Sequence, residues 1–337
     1  MINDKYSVGV VGATGLIGGK FIKVLEDRDF PVGELRLFAS AKNAGKAIFA
    51  FNENLTVRPL CEDCFKDLDF VFFCAGGDVS LRYAPSAAAA GAIVVDNSSA
   101  FRREKNIPLV VPEINFGDVT SCDRLIANPN CSTIQAVLPL SVINENYGIE
   151  RIIYTTYQAV SGSGRKGVAD LRLTERGCLP SFYPLPVSKT CIPQIGDLTP
   201  DGYTEEEEKM KFETNKILGV SVPVSATCVR VPIENCHAVA IEVEVKKPID
   251  LSEVKAKLAA KRGIVLSDLP SAVEADGSYD VFVGRIRKST AYENGLSFIT
   301  CADNTLRGAA YNAVRIAEMI IEGKNEPKNP KNAVKYS

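Results

Sequence analysis

Cys131 lies in the segment Asn128–Thr133, where a cysteine could act as a nucleophile. Residues 125–127 are typical of the end of a strand, and the apolar residues after Cys131 fall on one helical face: Ile134, Val137, Leu138 and Ile143. A helix N-terminus favours a thiolate over a thiol and can bind an oxyanion or a phosphate. The segment therefore predicts a nucleophile, and the alternative is a buried apolar cysteine, the usual fate of one cysteine among ten.

The chain has a single histidine, His237, which excludes every metal site with several histidine ligands. It follows Arg230 by seven residues, at the junction of two predicted strands. A thiol and an imidazole are the minimum set for covalent acyl chemistry, so Cys131 and His237 form a candidate pair. The alternative is a hydrogen-bonded surface histidine. We expect no metal.

Two strand–turn junctions contain residues suited to a dinucleotide. The turn Gly12–Gly18 (GATGLIG) follows a short apolar strand and opens a helix from Leu16 to about Glu26, as in a dinucleotide-binding βαβ unit. At the end of the second predicted strand, Ser40 and Lys42 stand where an NAD site has an acid. Because an acid would repel a 2′-phosphate, this junction favours NADP over NAD.

Further polar loops are candidates for the same site. Gln158 ends a predicted strand and could hold an acyl oxygen, while Ser161–Gly164 after it could approach a nicotinamide or be a plain helix N-cap at Ser161 or Ser163. Gly76 follows a buried strand and would let a cofactor come close. Glu206 and Lys209 share a helix face, although a solvated surface is the more common role of such charges.

The composition is that of a globular protein and not of a nucleic-acid or membrane binder. The 337 residues are 46% hydrophobic and 24% charged, with a formal net charge of −2, which gives no electrostatic reason to expect nucleic acid or an anionic membrane as a partner. A strand begins too early to leave room for a signal peptide, and no apolar run is long enough for a membrane span. We therefore expect a cytoplasmic protein whose cysteines are reduced thiols.

The elements that must position these residues change character after Cys131. The first part of the sequence predicts alternating strands and helices, with strands at 6–11, 35–39, 69–74 and 92–96 and a helix at 79–90. The second part predicts a mixed sheet with strands at 151–157, 222–231, 238–245, 279–283 and 297–302. Helices are expected at 164–175, 204–218, 251–261 and 305–321, and a loosely held tail from 323. Cys61-Glu62-Asp63-Cys64 has CxxC spacing but no second pair, so a surface loop is favoured over zinc or redox chemistry.

Taken together, the motifs resemble the aspartate-β-semialdehyde dehydrogenase family, particularly its bacterial form. The likeness runs from Val8 to about Ile321. Its blocks are GATGLIG (12–18), NSSAFR (97–102), VVPEIN (110–115), NPNCSTIQ (128–135), TYQAVSGSG (156–164), EEKMKFET (207–214), ATCVRVP (226–232) and FVGRIR (282–287).

The resemblance implies a role for each candidate residue. Cys131 would attack the aldehyde, His237 would act as acid–base, and Gln158 would orient the acyl group. Arg230 would clamp the α-carboxylate and Glu206 would meet the α-ammonium. Phosphate would be held by Arg102, Asn130 and Lys209. The implied NADP site is Gly12, Thr14, Gly15, Leu16, Ile17, Gly18, Ser40, Lys42, Gly76, Ser161, Gly162 and Asn304.

The same resemblance implies the fold and the reaction. The fold would be α/β, with a Rossmann-type NADP-binding domain (1–127 with 305–323), an α+β catalytic and dimerisation domain with a mixed sheet (128–304) and a tail (324–337). The enzyme would convert aspartyl-4-phosphate to aspartate-4-semialdehyde through a thioacyl intermediate, in lysine, methionine and threonine biosynthesis. A homodimer is expected, with a tetramer as the alternative.

Three residues depart from the family pattern, and two other functions compete. Cys236 stands where a Gly is usual, Asp78 where a Ser is common, and Asn43 where a Ser is frequent. The nearest alternative is N-acetyl-γ-glutamyl-phosphate reductase or another acyl-phosphate reductase, which shares the turn Ser161–Arg165. A different class is a catalytically silent NADP-binding sensor.

Overall fold

A computed structural model describes residues 5–325, and the first part of the chain forms a parallel six-stranded sheet. Its strand order is β5-β2-β1-β6-β7-β8, and every neighbouring pair is parallel. The strands are β1 (Tyr6–Val11), β2 (Val32–Ala39), β5 (Arg58–Pro59), β6 (Phe70–Phe73), β7 (Ile93–Asp96) and β8 (Leu125–Ala127), with the hairpin β3 (Ala47–Ala50) and β4 (Glu53–Thr56) beside them. β6 is wholly apolar and buried, as a strand covered on both faces must be.

Three helices belong to this first part and a fourth returns to it from the C-terminal end. The helices in chain order are α1 (Leu16–Asp27), α2 (Gly77–Ala89) and α3 (Pro112–Asn115). The last helix of the described chain supplies Ala313, Val314 and Ala317 to the same apolar core as α1 and β1. The parallel sheet is therefore closed by a segment that follows the second sheet in sequence.

A mixed six-stranded sheet forms the second part, in the order β10-β9-β11-β14-β13-β12. Its strands are β9 (Ile149–Gln158), β10 (Val224–Arg230), β11 (His237–Val245), β12 (Ile264–Leu266), β13 (Val281–Lys288) and β14 (Gly295–Ala302). The helices of this part are α4 (Cys131–Tyr147), α5 (Gly164–Glu175), α6 (Glu205–Leu218), α7 (Leu251–Ala260) and α8 (Ala272–Ala275), and the last helix, α9 (Tyr311–Asn325), is the one that returns to the parallel sheet. Buried α4 contributes Ala136, Leu138 and Leu140 to the core of this sheet.

The predicted elements are confirmed, with differences at places where local sequence carries little information. The sequence did not predict the β3–β4 hairpin or β12, because these short edge strands lack a clear apolar alternation. The predicted final helix begins with a π-helical turn, Leu306–Ala310, and then continues as α9. Residues 326–337 of the predicted tail lie outside the described residues.

Two smaller expectations can also be compared with the structure. Cys61 is exposed, and the Cys64 thiol donates to the Cys61 carbonyl at 2.9 Å within a short 3₁₀ turn, so the CxxC segment lies at the surface as predicted. No helix within residues 5–325 is long and apolar enough to cross a membrane.

Candidate active site

Cys131 is the first residue of α4, and Asn130 caps that helix. The Asn130 side-chain oxygen accepts the backbone N–H groups of Ser132 and Thr133 at 2.9 and 3.3 Å. The predicted position of Cys131 at a helix N-terminus is thus confirmed. Since Asn130 occupies two of the free N–H groups, the helix end offers its dipole to Cys131 and fewer open donors than an uncapped helix would.

Three adjacent strands of the mixed sheet end at this helix terminus. Gln158 is the last residue of β9 and Arg230 the last of β10, and the two are register partners. His237 begins β11, which pairs antiparallel with β9 through Ala238 and Tyr157. The order β10-β9-β11 therefore places guanidinium, amide and imidazole side by side at one sheet edge.

His237 is fully buried, and its ring orientation is set by the backbone. Its Nδ1 accepts the N–H of Ala159 at 3.0 Å, whereas Nε2 has no hydrogen-bond partner among residues 5–325. Burial and, after it, the Arg230 charge hold the pKa of His237 well below its usual value, so the ring is neutral near pH 7. Because Nδ1 accepts a hydrogen bond, the proton of the neutral ring is on Nε2. A Cβ placed on Gly162 would lie 3.2 Å from Nε2, so His237 lies directly behind that glycine.

Glu206 and Lys209 extend into the site from the first turns of α6 and are not a solvated face. Glu206 is buried and accepts hydrogen bonds from the Asn130 and Gln158 amides at 2.8 and 3.2 Å, and Lys209 lies 3.5 Å away. Burial opposes ionisation of Glu206, but the Lys209 charge, the Asn130 amide and Arg230 together lower its pKa. Glu206 is therefore a buried anion able to receive a cation.

Arg102 approaches the same place from the loop after β7. One guanidinium nitrogen donates to Glu213 at 3.0 Å and another to the Asn97 carbonyl at 3.0 Å, while Nε has no hydrogen-bond partner in the described part of the chain. The side chain is only 9% exposed. A buried guanidinium with a free N–H group is suited to an anionic ligand.

These side chains surround one cavity of about 340 Å³. Its lining includes seven of the eight predicted catalytic and substrate-binding residues, namely Arg102, Asn130, Cys131, Gln158, Glu206, Lys209 and Arg230. The eighth, His237, lies behind Gly162. Ile17, Ser161, Gly162 and Asn304 of the predicted cofactor set line the same cavity.

The nucleophile candidate is a thiol in the absence of ligands. Burial and, after it, the negative charge of Glu206 raise the pKa of Cys131 to about 12, although Arg230 and Arg102 act in the opposite direction. A bound cation that neutralises Glu206 would remove part of this increase. The site is therefore arranged so that its occupant influences the ionisation of Cys131.

The glycine turn before α1 fits a dinucleotide pyrophosphate. Gly12 has φ +87°, and a Cβ on Gly18 would lie 2.3 Å from the Gly12 carbonyl oxygen, so the turn requires both glycines. No side chain caps α1 after Gly15, and its first turn contains no acid. The first N–H groups of α1 can therefore bind phosphate oxygens.

The remaining predicted cofactor residues occupy different positions. Thr14 lies within the glycine turn, and Leu16 lines a neighbouring cavity of about 900 Å³ together with Ser161. Ser40 and Lys42 are exposed just beyond β2, with no acid beside them. Gly76 precedes α2 and faces open space. None of these residues obstructs a nucleotide lying along the carboxyl edge of the parallel sheet.

Asn304 connects two loops and is not a free ligand-binding amide. Its oxygen accepts the Cys236 N–H at 2.9 Å, and its nitrogen donates to the Ser161 hydroxyl at 2.9 Å. Cys236 has φ +73°, a conformation that favours glycine, which explains why glycine is usual at this position in the family that the motifs resemble. The cysteine is accommodated without displacing His237 from the site.

The other two departures from the family pattern are compatible with the predicted site. Asp78 is exposed in the first turn of α2, where an acid suits the helix dipole. Asn43 receives a hydrogen bond from Lys46 at 2.7 Å and contacts Ser40 at 3.4 Å. Neither residue projects into the 340 Å³ cavity.

Two residues that position the nucleophile were not predicted as site residues. Glu213 accepts the Asn130 backbone N–H at 2.6 Å and is buried. Gly308, in the π-helical turn, lies so close to the nucleophile that a Cβ there would be 2.7 Å from the Cys131 Cβ. The spacing of Glu213, seven residues after Glu206 and hence on the same helix face, was a usable signal, whereas Gly308 had none.

Comparison with known proteins agrees with this architecture. Residues 7–121 match the model described as semialdehyde dehydrogenase, NAD binding domain, and residues 140–307 match semialdehyde dehydrogenase, dimerisation domain. The fold and the site thus define an oxidoreductase of the semialdehyde dehydrogenase class, with an NAD(P)-binding domain and a dimerisation domain.

Full-length relatives narrow the class to one family. The chain is 43% identical to aspartate-semialdehyde dehydrogenase of Aquifex aeolicus, covering 94% of this chain and 98% of the relative. It is 41% identical to the Bacillus subtilis enzyme, covering 93% and 96%. The chain belongs to the aspartate-semialdehyde dehydrogenase family.

Solved structures agree with this assignment. Aspartate semialdehyde dehydrogenase II from Vibrio cholerae, complexed with ASA, has a TM-score of 0.91 at 40% identity and covers 95% of this chain and 99% of that one. Aspartate semialdehyde dehydrogenase with NADP from Candida albicans has a TM-score of 0.74 at 26% identity, covering 96% and 99%.

Proposed function

We propose that the chain catalyses the reversible, NADP-dependent conversion of L-aspartyl-4-phosphate to L-aspartate-4-semialdehyde and phosphate through an acyl group on Cys131. The observation that carries the proposal is one cavity that joins a cysteine at a helix N-terminus to three anion-binding cations and one buried anion. The family implies a place in the biosynthesis of lysine, methionine and threonine.

The amino-acid end of the substrate is recognised by opposite charges. Arg230, whose Nε has no partner, pairs with the α-carboxylate, because a guanidinium fork matches a carboxylate. Glu206 pairs with the α-ammonium, and this ion pair lowers the pKa of Cys131 by cancelling the nearby negative charge. Substrate binding thus promotes formation of the thiolate that attacks it.

In the oxidative direction the first half-reaction forms the acyl group. The Cys131 thiol first loses its proton to solvent. The thiolate sulfur then bonds to the aldehyde carbon, and the carbonyl π electrons move to oxygen, which becomes the oxyanion of a hemithioacetal. The Nε2–H of His237 stabilises this oxyanion, and Gln158 orients the acyl group. A nicotinamide, when bound, would accept the hydride that leaves the former aldehyde carbon as the thioester carbonyl forms.

Phosphate completes the reaction in the second half. An oxygen of phosphate, held by Arg102, Lys209 and Asn130, bonds to the thioester carbon, and the carbon–sulfur bond breaks. The electron pair returns to Cys131 as the thiolate, and aspartyl phosphate leaves. His237 again donates a hydrogen bond from its Nε2–H, now to the second tetrahedral oxyanion.

NADP rather than NAD is proposed as the cofactor because of the end of β2. Ser40 and Lys42 are exposed there and can meet a 2′-phosphate, and no acid is present to bind a free 2′-hydroxyl. The proposed cofactor set is the one predicted from the sequence, with Asn304 acting indirectly by orienting Ser161.

We also propose a homodimer formed through the second sheet. Ile153 and Tyr157 on β9 are 41% and 46% exposed, on the face opposite the core that contains Ile152 and Tyr154. An apolar open face on a domain matching a dimerisation model supports this arrangement. Light scattering should give the mass of a dimer, and Tyr157→Glu should shift the measured mass toward that of a monomer.

The proposed domain division follows the two sheets. Residues 1–127 with 305–323 would form the NADP-binding domain, and residues 128–304 the catalytic and dimerisation domain. Packing of Leu306, Ala310 and Val314 against the core of the parallel sheet supports the return of the C-terminal segment.

One assay separates the main proposal from its nearest alternative. Purified protein is mixed with NADP, phosphate and aspartate semialdehyde, and the absorbance of NADPH is followed. We expect formation of NADPH that depends on phosphate. Activity restricted to the N-acetylated five-carbon analogue would instead identify N-acetyl-γ-glutamyl-phosphate reductase, a substrate whose blocked amine would leave Glu206 without its cation.

A further inference from the structure

Arg102, the proposed phosphate-binding cation, is anchored largely by a helix from the other part of the molecule. Its guanidinium pairs with Glu213 of α6 at 3.0 Å, and the two side chains are 9% and 1% exposed. The Arg102 loop follows β7 of the parallel sheet, whereas α6 packs beside α4 and β10. The direction of this guanidinium therefore depends on where α6 lies.

Lys216, one turn further along α6, holds the backbone of the same loop. Its ammonium donates to the carbonyl oxygens of Arg102, Glu104 and Ile107 at 3.0, 2.8 and 2.9 Å. Three carbonyls converging on one ammonium fix the path of the loop at both ends and use all three donors of the lysine. Lys216 does not line the 340 Å³ cavity, so it cannot contact a ligand there.

The charged residues of α6 that face the loop and the site form one stripe. Glu206, Lys209, Glu213 and Lys216 are spaced three, four and three residues apart, which places them on one helix face. The first two line the cavity and the last two do not. The stripe thus divides into a ligand-facing half and a half that faces the Arg102 loop.

We propose that Glu213 and Lys216 are positioning residues for phosphate: Glu213 orients the Arg102 guanidinium, and Lys216 fixes the backbone that carries it. This inference rests on the proposed function, because it assumes that Arg102 binds phosphate. Glu213 also compensates the buried charge of Arg102 before phosphate arrives, and leaves Nε free for the incoming anion. Loss of Lys216 weakens phosphate binding without altering the contacts made to the amino acid, whereas Glu213 also holds the backbone of Asn130.

The test compares Lys216→Met with Lys211→Met by steady-state kinetics in the oxidative direction. Lys211 is on the opposite face of α6 and pairs with Glu208 at 2.5 Å, so it is a matched loss of one lysine from the same helix. We expect Lys216→Met to raise the KM for phosphate by about tenfold or more, since small misplacements of a binding group have effects of this size. The KM values for aspartate semialdehyde and NADP should change less than about twofold, because Lys216 contacts neither ligand's site.

A merely structural role would give a different pattern. If Lys216→Met lowers kcat and alters all three KM values in parallel, or leaves the KM for phosphate unchanged, the positioning role is refuted. Should Lys216→Met fold poorly, Glu213→Gln gives the same readout, because it removes the charge but keeps an acceptor for the Asn130 N–H. A normal KM for phosphate in Glu213→Gln would equally contradict the proposal.

A double-mutant cycle separates this proposal from the assignment of Arg102 itself. If Arg102→Leu leaves the KM for phosphate unchanged, the proposed phosphate site is wrong. If Arg102→Leu raises this KM but Lys216→Met does not, only the positioning role fails. We expect the effect of Lys216→Met to be largely lost in the Arg102→Leu background, because Lys216 acts through Arg102.

Discussion

Two of the helix N-termini near the site, those of α1 and α4, are built in different ways. α1 begins after Gly15 with no side-chain cap and no acid in its first turn, so its N–H groups are open to a ligand. α4 begins at Cys131 with a capping Asn130, which itself is bound by Glu206 and, through its backbone, by Glu213. The first terminus is prepared to receive an anion directly. The second is fixed in place so that one side chain, Cys131, can react.

This difference explains why the sequence predicts the surroundings of the α1 terminus more completely than those of the α4 terminus. The geometry of the α1 turn depends on glycines that contact one another within seven residues. The surroundings of the α4 terminus depend on Glu206 and Glu213, which follow Asn130 in the chain by 76 and 83 positions. Local sequence therefore encodes the cofactor-binding turn, whereas the charge balance around Cys131 is a product of the tertiary fold.

The largest effect should follow from removing the reactive group of α4. Cys131→Ala is expected to lower kcat by about four orders of magnitude or more, since no other cysteine of residues 5–325 lines the cavity to carry the acyl intermediate. NADP binding should persist, because the α1 terminus is untouched. Steady-state kinetics together with NADPH fluorescence titration measure both. Substantial remaining turnover would contradict covalent catalysis.

Disrupting the α1 terminus should weaken NADP binding, which the Cys131 substitution leaves intact. Gly18→Ala places a Cβ 2.3 Å from the Gly12 carbonyl oxygen and forces the turn open. We expect a loss of NADP affinity of roughly tenfold or more, as a displaced anion-binding turn loses its N–H contacts. Gly19→Ala is the matched control, because a Cβ there meets nothing within 4 Å. Equal effects of the two substitutions would argue against a role for the turn.

A smaller effect is expected from a substitution that tests whether the cofactor is NADP or NAD. Lys42→Ala is expected to raise the KM for NADPH by about tenfold while leaving that for NADH nearly unchanged, because only NADPH has a 2′-phosphate. Lys23→Ala, an exposed lysine on α1 paired with Asp27, serves as the control. If both cofactors respond equally to Lys42→Ala, the preference for NADP has another origin.

The charge balance at α4 can be tested through the reactivity of Cys131. Glu206 raises the pKa of Cys131, so Glu206→Gln should lower this pKa and increase the thiolate fraction at pH 8. Iodoacetamide should then alkylate Cys131 several-fold faster, although turnover falls because the ammonium site is lost. In the unsubstituted protein the alkylation rate should still be rising at pH 10, consistent with a pKa of about 12. If Glu206→Gln is alkylated more slowly than the unsubstituted protein, Glu206 does not raise the pKa of Cys131.

The smallest effect is expected at Cys236. Cys236→Gly relieves a left-handed backbone conformation but increases the freedom of the unfolded chain, and these contributions of about 1 kcal/mol oppose each other. The free energy of unfolding in urea should change by less than about 1 kcal/mol, with kcat within about threefold. A large loss of activity would show that the thiol beside His237 takes part in the reaction.

Sequence reasoning predicted the order of elements and most residues of the site, and it failed where contacts are distant or geometry is irregular. The strand ends at Gln158 and Arg230 were predicted separately, but only the sheet register places them side by side. The direction of the His237 proton depends on the Ala159 N–H, which has no sequence signal. The π-helical turn that brings Gly308 against Cys131 was predicted as ordinary helix, because its residues follow the same apolar pattern.

The central claim is that Cys131 carries an acyl group which phosphate removes, and mass spectrometry of the intact protein tests it most directly. The protein is mixed with aspartate semialdehyde and NADP in the absence of phosphate, quenched in acid and then measured, and a second sample receives phosphate before the quench. We expect an aspartyl adduct on Cys131 in the first sample and its loss in the second. One equivalent of NADPH should form before phosphate is added. No adduct, or an adduct that phosphate does not release, would contradict it.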